Sequence, residues 1–320
     1  MTQTPKSEPQ NPGAVGQGPL RPTPEPVRLA EPEAVDRFLD YFRVDERFPH
    51  ILCPGCGIGT AMNTVVRALI ETGVSQNELC VVSGIGCSSR ISGYVDCDTF
   101  HTLHGRALPA ATGVKLARPD LKVVVFGGDG DMLAIGGNHF IHAARRNVDV
   151  TVFVLNNFTY GMTGGQYSPT TPTCARASTA PFGNVERDFD TCFMARATGA
   201  AFVARSTTFH VAHLKKMAKL AFGKRGFSVV EIISQCPTFF GRAQSMGDAV
   251  KMLEWIRDRS VDVSKVTDPW QVQDKFVIGV LHDREEVPPY SQLLGDVRRL
   301  SRGGSDCKKA GPAGMGGDKP

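Results

Sequence analysis

Short apolar runs alternate with segments of helical periodicity through most of this 320-residue chain. The apolar runs, rich in β-branched side chains, are residues 79–83, 121–126, 149–155, 199–205 and 227–233. The segments with helical spacing are residues 57–71, 104–117, 134–146 and 207–221. Strands that are apolar along their whole length must be covered on both faces, and intervening helices provide that cover. The alternation predicts an α/β fold, a parallel sheet with helices on both faces.

The two ends of the chain differ from this middle part. Residues 1–28 and 301–320 are poor in apolar side chains and rich in Gly or Pro, so we predict disordered tails around one domain at 29–300. The 36 Lys and Arg residues barely outnumber the 32 Asp and Glu residues and are scattered, which argues against nucleic-acid binding. No apolar run approaches the ~20 residues of a membrane span. The N-terminal residues lack the apolar region of a secretory signal, so we expect a cytoplasmic protein without membrane contact.

Four of the nine cysteines lie at turns marked by Gly or Pro. They are Cys53, Cys56, Cys87 and Cys236. Thiolates on such turns can hold an iron–sulfur cluster or zinc, and the spacing alone does not separate the two. An odd number of cysteines in a non-secreted chain favours metal or catalytic roles over disulfides. Cys80 is expected in the core, Cys307 lies in the C-terminal tail, and no role is predicted for the other three.

Polar residues follow two consecutive predicted strands. Gly128-Asp129-Gly130 follows the first strand and Asn156-Asn157 follows the second. Mg²⁺ prefers carboxylate and amide oxygens together with phosphate, and glycines let backbone N–H groups approach a phosphate closely. Since the carboxyl ends of parallel strands share one edge, Asp129 and Asn157 should lie on adjacent strand ends. The pattern predicts a divalent metal that holds a diphosphate; the alternative is a plain turn followed by a loop.

Five stretches resemble the β subunit of the 2-oxoacid:ferredoxin oxidoreductases, most of all the 2-oxoglutarate group. They are His50-Ile-Leu-Cys-Pro-Gly-Cys-Gly, Ser83-Gly-Ile-Gly-Cys-Ser-Ser-Arg, His101-Thr-Leu-His-Gly-Arg, Gly127-Gly-Asp-Gly-Asp and Asn156-Asn-Phe-Thr-Tyr-Gly-Met-Thr-Gly-Gly-Gln. The resemblance covers residues 43–242, with a weaker echo at 277–281, and it implies a thiamine diphosphate-binding fold.

The resemblance also implies the roles of individual residues. One [4Fe–4S] cluster would be ligated by Cys53, Cys56, Cys87 and Cys236. Mg²⁺ would be held by Asp129, Asn157 and the backbone carbonyl of Thr159. The diphosphate would contact Gly130, Asp131, Gly161 and Met162, and Gly128 is also expected to bind the cofactor because its missing Cβ allows close approach. The thiamine rings would lie against Ile85, Gly86, Cys87, Ser88 and His104.

The resemblance implies a reversible, coenzyme A-dependent oxidative decarboxylation of a 2-oxoacid to acyl-CoA and CO₂. Thiamine diphosphate would support the decarboxylation, and the [4Fe–4S] cluster would pass electrons to ferredoxin. The chain offers no glutamate for the thiamine aminopyrimidine, so an α subunit is expected to complete the active site. A non-redox thiamine decarboxylase with structural zinc and a non-enzymatic scaffold subunit are the competing interpretations, and the scaffold has no use for Asp129, Asn157 and the cysteines together.

The substrate prediction depends on Arg90, which follows Cys87-Ser-Ser. A guanidinium near the pocket would pair with a distal carboxylate and favour 2-oxoglutarate, with succinyl-CoA as product. Arg90 could instead pair with a carboxylate of the α subunit or of its own chain. Pyruvate, branched-chain and aryl 2-oxoacids are the alternative substrates. We expect His104 to act at the site and His101 to be structural.

Overall fold

The computed structural model describes residues 37–284 and 288–300. The two predicted tails and Cys307 lie outside these residues. The strands of the described part are β1 Leu79–Ser83, β2 Asp98–His101, β3 Lys122–Gly128, β4 Thr151–Asn156, β5 Phe202–Thr207, β6 Ser228–Ile233, β7 Ser260–Asp262 and β8 Phe276–Asp283.

Helices connect most of these strands. They are α1 Val44–Arg47, α2 Gly57–Ile70, α3 Ile91–Tyr94, α4 Ala107–Ala117, α5 Gly137–Arg145, α6 Thr191–Ala197, α7 Val211–Gly223, α8 Ala249–Arg259 and α9 Tyr290–Leu300. Short 3₁₀ turns occur at Gln76–Glu78, Ser88–Arg90 and Val263–Lys265, and π-helical turns at Gly130–Ile135 and Pro237–Gly241. Within the described residues, every helix is too short or too polar to cross a bilayer.

All strands of the described chain form one sheet, in the order β2-β1-β3-β4-β6-β5-β8-β7. Every neighbouring pair is parallel except β5 and β8, which run antiparallel. The predicted parallel sheet is therefore confirmed, with one antiparallel neighbour that the sequence did not indicate.

Both faces of the sheet are apolar, as the strand composition predicts. Along β3, Val124 and Phe126 pack with α2 and α7 on one face, whereas Val123 and Val125 pack with α4, α5 and α6 on the other. Successive side chains of a strand point to opposite faces, so a run without polar residues requires this two-sided cover.

The helix predicted at 104–117 begins later, at Ala107. Gly105 has a φ of +72°, outside the helical region, and the backbone N–H of Arg106 donates to the carbonyl of Leu103. The helix predicted at 134–146 likewise begins as α5 at Gly137, after a π-helical turn that starts at Gly130. Both differences lie in the connections that carry the predicted site residues.

Candidate active site

The carboxyl ends of β1, β3 and β4 enclose a cavity of about 190 Å³, here named the Asp129 cavity. The residues predicted to contact Mg²⁺ or thiamine diphosphate all line it: Ile85, Gly86, Cys87, Ser88, His104, Gly128, Asp129, Gly130, Asp131, Asn157, Thr159, Gly161 and Met162. Tyr160 and Thr163 complete the wall. The structure therefore brings the predicted set together, while the role of each residue stays a prediction.

Asp129 and Asn157 lie on adjacent strand ends, as predicted. In the register of β3 and β4, Gly128 is the partner of Leu155, so the residues just beyond both strands emerge side by side. The Asn157 amide oxygen accepts a hydrogen bond from the backbone N–H of Thr159 at 3.3 Å. A carboxylate, an amide and a nearby backbone carbonyl form the hard oxygen set that Mg²⁺ prefers.

The Asp129 carboxyl group is almost inaccessible, with 2% of the residue exposed. Its Oδ2 accepts hydrogen bonds from the hydroxyls of Ser168 and Thr170, both at 2.6 Å. Burial raises the pKa of Asp129 to about 6, although these hydrogen bonds act in the opposite direction. A divalent cation in the cavity would favour the ionised form.

Asn156 does not share the position of its neighbour Asn157, because side chains alternate at the end of β4. Its amide nitrogen donates to Oε1 of the buried Glu231 at 2.8 Å, and its Oδ1 lies 2.9 Å from the Thr170 hydroxyl. The paired asparagines of the motif thus divide: Asn157 lines the cavity, and Asn156 belongs to the polar network behind it.

Asp131 connects three segments that line the Asp129 cavity. Its Oδ1 accepts from the backbone N–H groups of Gly105 at 2.7 Å and Ile85 at 3.3 Å, and from Nδ1 of His104 at 2.8 Å. A Cβ at Gly84 would collide with this carboxylate, which explains the glycine that directly follows β1. Since Oδ1 of this carboxylate already accepts three hydrogen bonds, contact of Asp131 with a diphosphate would come from its backbone N–H.

Packing gives a second reason for a glycine at position 130, in addition to the close approach of backbone N–H groups to a phosphate. A Cβ at this position would collide with the ring of Tyr160, whose hydroxyl lies 3.4 Å from the Gly130 carbonyl. The Tyr160 ring also forms an edge contact with His104, at 6.1 Å between centroids. Tyr160 therefore fixes one wall of the cavity between two of the predicted contact residues.

A second cavity of about 350 Å³ adjoins the first and is lined by all four predicted cysteines; we name it the cysteine cavity. Cys53 and Cys56 precede α2, Cys87 follows β1, and Cys236 follows β6. The backbone N–H of Cys56 donates to the carbonyl of Cys53, which closes the Cys-Pro-Gly-Cys turn. Four cysteines that are far apart in the sequence thus surround one space.

Gln235 holds the two cysteine-bearing segments against each other. Its side-chain nitrogen donates to the carbonyl of Gly55 at 3.1 Å, and its backbone carbonyl accepts from the N–H of Gly57. The hydroxyl of Thr208 donates to the other end of the Gln235 amide at 2.6 Å. The turn between Cys53 and Cys56 is therefore bonded directly to the residue before Cys236.

In any set of three of these four cysteines, at least one sulfur–sulfur distance exceeds 4.8 Å. Among the described residues, three metal-binding side chains come within 4.8 Å of one another only at Asp190, Cys192 and Glu231. Tetrahedral zinc would hold its sulfurs about 3.8 Å apart, given Zn–S bonds near 2.3 Å. The spacing fits a larger group than one zinc ion.

The environment of Cys56, Cys87 and Cys236 disfavours free thiolates. Burial raises the pKa of Cys56 to about 12, with smaller contributions from the neighbouring cysteines. Burial also raises the pKa values of Cys87 and Cys236. Because thiolates are the metal-binding form, the cysteines would ionise together with the binding of a positively charged centre.

The two cavities share a wall that contains Cys87, Asn157, Gly161 and Met162. A Cβ at Gly161 would lie 3.4 Å from the sulfur of Cys87 and 4.0 Å from that of Cys236. Arg90 is exposed and lines the cysteine cavity; it is not among the residues that line the Asp129 cavity. Its predicted approach to a substrate would therefore be from the cysteine side of the shared wall.

The other histidine and cysteines singled out in the sequence lie away from both cavities, among side chains that they hydrogen-bond or pack against. His101 lies at hydrogen-bond distance from the hydroxyls of Ser83 and Ser92. Cys80 is buried in the core, as predicted. Cys192 is buried beside Glu231, and the cation between Glu231 and Asp190 is the guanidinium of Arg205, with distances of 2.6 and 2.7 Å.

Sequence analysis missed Ser168, Thr170 and Tyr160. All three lie between β4 and α6, in a long connection without a helix or strand. Periodicity gives no information in such a segment, and the only signal was that Tyr160 stands within the quoted Asn156 motif. Ser168 and Thr170 carried no signal of their own.

The chain is similar to known proteins over most of its length. Residues 84–232 match the family described as "Thiamine pyrophosphate enzyme, C-terminal TPP binding domain". The 2-oxoglutarate synthase subunit KorB of Methanocaldococcus jannaschii is 48% identical over 264 residues, which cover 82% of this chain and 97% of that protein. The KorB subunit of Methanothermobacter marburgensis is 50% identical over 266 residues, covering 82% of this chain and 93% of that protein.

A solved structure is also similar. It is the 2-oxoglutarate:ferredoxin oxidoreductase from Magnetococcus marinus, described with 2-oxoglutarate, coenzyme A and succinyl-CoA bound. The TM-score is 0.75 at 35% identity, and the match covers 85% of this chain and 93% of that chain.

Proposed function

This chain belongs to the β subunits of the 2-oxoacid:ferredoxin oxidoreductases, of the 2-oxoglutarate type, and from that membership we propose its reaction. Together with an α subunit it converts 2-oxoglutarate and coenzyme A to succinyl-CoA and CO₂, reversibly, and passes the electrons to ferredoxin. Its cofactors are thiamine diphosphate, Mg²⁺ and one [4Fe–4S] cluster.

One observation carries this proposal: two adjoining cavities of different chemistry share a wall. Hard oxygen donors line one cavity and four cysteines line the other, with Cys87 in both. An organic cofactor and a redox cluster in these positions would be direct neighbours, as electron transfer between them requires.

The oxygen-lined cavity fits a metal–diphosphate group. Asp129, Asn157 and the carbonyl of Thr159 would hold Mg²⁺, and Gly130, Gly161 and Met162 would contact the diphosphate. When bound, thiamine diphosphate supplies the electron sink that a decarboxylation needs. The Nδ1–H of His104 would donate a hydrogen bond to Oδ1 of Asp131, since the two atoms are 2.8 Å apart. Nε2 would then be the ring nitrogen that faces the cofactor.

The cysteine cavity supports a cluster over zinc, because its sulfurs are too widely spaced for one ion. The runner-up function, a non-redox thiamine decarboxylase with structural zinc, predicts close sulfurs and leaves the shared wall without a purpose. The name of the similar solved structure also describes a redox enzyme.

The substrate proposal is 2-oxoglutarate, which the names of the relatives support. Arg90 is the residue of this chain that we propose for its distal carboxylate, since a guanidinium can bind a carboxylate through two hydrogen bonds. Pyruvate and the branched-chain or aryl 2-oxoacids lack that carboxylate and would gain nothing from Arg90.

The proposed α subunit would complete the active site. The carboxylates that line the Asp129 cavity are Asp129 and Asp131, and both are already hydrogen-bonded within the chain. Asp129 is proposed as a metal ligand and Asp131 holds His104 and two backbone N–H groups, so we infer that a second chain supplies the carboxylate for the aminopyrimidine ring. A cytoplasmic location stays a prediction.

The test is anaerobic purification of the chain with its α subunit, followed by assays for iron, sulfide, zinc and thiamine. We expect about four irons and one thiamine diphosphate per β chain, with a reduced-cluster EPR signal after dithionite. Zinc without sulfide would overturn the redox proposal and favour the decarboxylase. A complex that contains no thiamine would contradict both the redox proposal and the decarboxylase.

A further inference from the structure

Two buried hydroxyls behind the Asp129 cavity bond the same carboxylate oxygen. Ser168 and Thr170 are each about 2% exposed, and each places its hydroxyl oxygen 2.6 Å from Oδ2 of Asp129. The two side chains are separated by Pro169 and lie 3.2 Å apart at their oxygens. Because both act on Oδ2, neither occupies the other carboxylate oxygen.

The Thr170 hydroxyl has one proton and three oxygen atoms in reach, one of them the Ser168 hydroxyl. Its oxygen lies 2.6 Å from Asp129 Oδ2 and 2.9 Å from Asn156 Oδ1. The carboxylate is the stronger acceptor, so the proton points to Asp129. This arrangement gives the Asp129 side chain one fixed rotation, since turning it would break two short charge-assisted hydrogen bonds.

The hydroxyls are themselves held from behind. The backbone N–H of Ser168 donates to the Thr171 hydroxyl at 2.7 Å. Asn156 next to Thr170 is fixed by Glu231, whose other oxygen accepts from Arg205 at 2.6 Å. The connection from 157 to 190 lacks regular structure, yet this part of it is anchored to the end of β4 at Asn156 and, through Glu231, to the interior of β6.

We propose that Ser168 and Thr170 are positioning residues that orient the Asp129 carboxylate for a divalent cation. They occupy Oδ2 and thereby present the other oxygen to the cation of the Asp129 cavity. Neither residue lines that cavity, so both act through Asp129. This inference rests on the proposed function, because it requires that the cavity binds a metal.

Thr171 provides a matched control one residue away. It is fully buried, and its hydroxyl donates to the backbone carbonyl of Phe158 at 2.7 Å rather than to Asp129. Replacing Thr171 with Val removes this hydrogen bond and the one that the Thr171 hydroxyl accepts from the backbone N–H of Ser168, while both hydroxyl donors to Asp129 remain. A loss that arises only from a loosened segment would therefore occur in this variant too.

The experiment starts from the α–β complex after its metal and thiamine diphosphate have been removed. Thiamine diphosphate is then added back, and the binding of Mn²⁺ is measured by EPR. We expect Ser168→Ala and Thr170→Val to weaken Mn²⁺ binding about 10- to 100-fold, the range for partners of metal ligands. Thr170→Ser keeps the hydroxyl and loses the methyl group, so it should bind Mn²⁺ like the wild type. Thr171→Val loosens the segment but keeps both donors to Asp129, so it should bind Mn²⁺ more tightly than Ser168→Ala and Thr170→Val.

The outcomes separate this inference from the proposed function. Wild-type affinity in both Ser168→Ala and Thr170→Val would overturn the inference while the function stands, as would an equal loss in Thr171→Val. Should Thr170→Val not fold, Ser168→Ala and Thr170→Ser decide the question. A wild-type complex that binds no Mn²⁺ with thiamine diphosphate would overturn the proposed function and this inference with it.

Discussion

Asp129 and Asp131 are two positions apart, and their carboxylates have different tasks. Asp129 is bonded to hydroxyls and lines the cavity floor, whereas Asp131 holds His104 and two backbone N–H groups. The sequence predicted that both residues lie at the site, and the cavity lining agrees. The difference between their roles could not be predicted, because it depends on residues that are remote in the sequence. Ser168 and Thr170 reach Asp129, whereas Gly105 reaches Asp131.

Asp129→Ala should abolish the binding of Mg²⁺ and thiamine diphosphate while the cluster remains. The substitution removes the charged ligand, and its effect should exceed the roughly 10- to 100-fold loss typical of a residue that only hydrogen-bonds a ligand. Thiamine and iron contents of the purified complex measure the two parts separately. Asp120→Ala, which removes an exposed carboxylate paired with Arg118, is the control and should change neither. Normal thiamine content in Asp129→Ala would contradict the metal assignment.

Arg90→Ala should lower kcat/KM for 2-oxoglutarate selectively. A charged hydrogen bond of about 1.5–3 kcal/mol corresponds to a loss of roughly 10- to 150-fold, and pyruvate turnover should not fall in parallel. Arg242→Ala replaces an exposed arginine that lines neither cavity and serves as the control. An unchanged preference for 2-oxoglutarate in Arg90→Ala would refute the substrate role of this residue.

At the scale of elements, the central strands could be predicted from the sequence and the edges could not. β1, β3, β4, β5 and β6 are continuous apolar runs, and each lies within three residues of its predicted position. β2 is only four residues long and largely exposed, so it carries no apolar signal. β8 was visible only as a weak echo of the family, and its antiparallel direction depends on a connection that periodicity does not describe.

The connection before α4 should not tolerate a side chain at Gly105. The residue has a φ of +72°, and a Cβ there would lie 2.8 Å from the Gly136 nitrogen and 2.9 Å from the Ile135 carbonyl carbon. These contacts are with backbone, which cannot move aside cheaply. Gly105→Ala should lower the free energy of unfolding by about 1–3 kcal/mol.

Gly113→Ala is the matched control for this substitution. Gly113 lies within α4, and a Cβ there would meet open space. Alanine should therefore be neutral or stabilise the helix by up to about 1 kcal/mol. Chemical denaturation of both variants measures the contrast, and equal stability would show that the connection is less rigid than its geometry indicates.

Strands β5 and β6 carry a buried ion pair between directly opposite residues, Arg205 and Glu231. Burial opposes the charge of Glu231, but Arg205 and hydrogen bonds from Thr191 and Asn156 outweigh it and lower the pKa. Glu231→Gln should cost about 3–5 kcal/mol of unfolding free energy at neutral pH, because it leaves a buried guanidinium with less compensation.

The pH dependence of this cost follows from the direction of the pKa shift. A lowered pKa contributes stability above the ordinary glutamate pKa of 4.5, and this stability is lost as pH falls through the lower value of the folded chain. The difference between wild type and Glu231→Gln should shrink in that acidic range. Glu71→Gln, at an exposed pair with two lysines, should change stability by under about 1 kcal/mol. Denaturation at several pH values tests both statements.

On the scale of the whole molecule, both cavities open at the carboxyl edge of one sheet. Four exposed apolar side chains lie in the segments that form the Asp129 cavity: Ile85 and Met162 in its wall, Leu103 next to His104, and Ile135 at the end of the turn that contains Asp131. We name these four residues the rim. The location of the site at this edge was predictable from strand order, whereas the rim was not, because exposed apolar residues in turns carry no periodic pattern.

Leu103→Glu should weaken association with the α subunit, because a charge would replace a rim side chain that is 75% exposed in the isolated chain. Loss of a central contact of about 1–2 kcal/mol corresponds to roughly a 10-fold weaker complex. Sedimentation of the mixed subunits measures the association. Leu220→Glu on α7, at an exposed leucine that lines neither cavity, should leave it unchanged. Equal effects of both substitutions would place the interface elsewhere.

The parallel direction of the central strands also separates two ends of the molecule for practical use. The turns that lead into these strands, such as residues 71–78 before β1, lie at the opposite edge from the chemistry. Five residues of β1 span about 16 Å. Fluorophores, affinity tags or surface attachments can be joined at this far edge, so that immobilised enzyme exposes its reactive end to the electrode or the electron carrier.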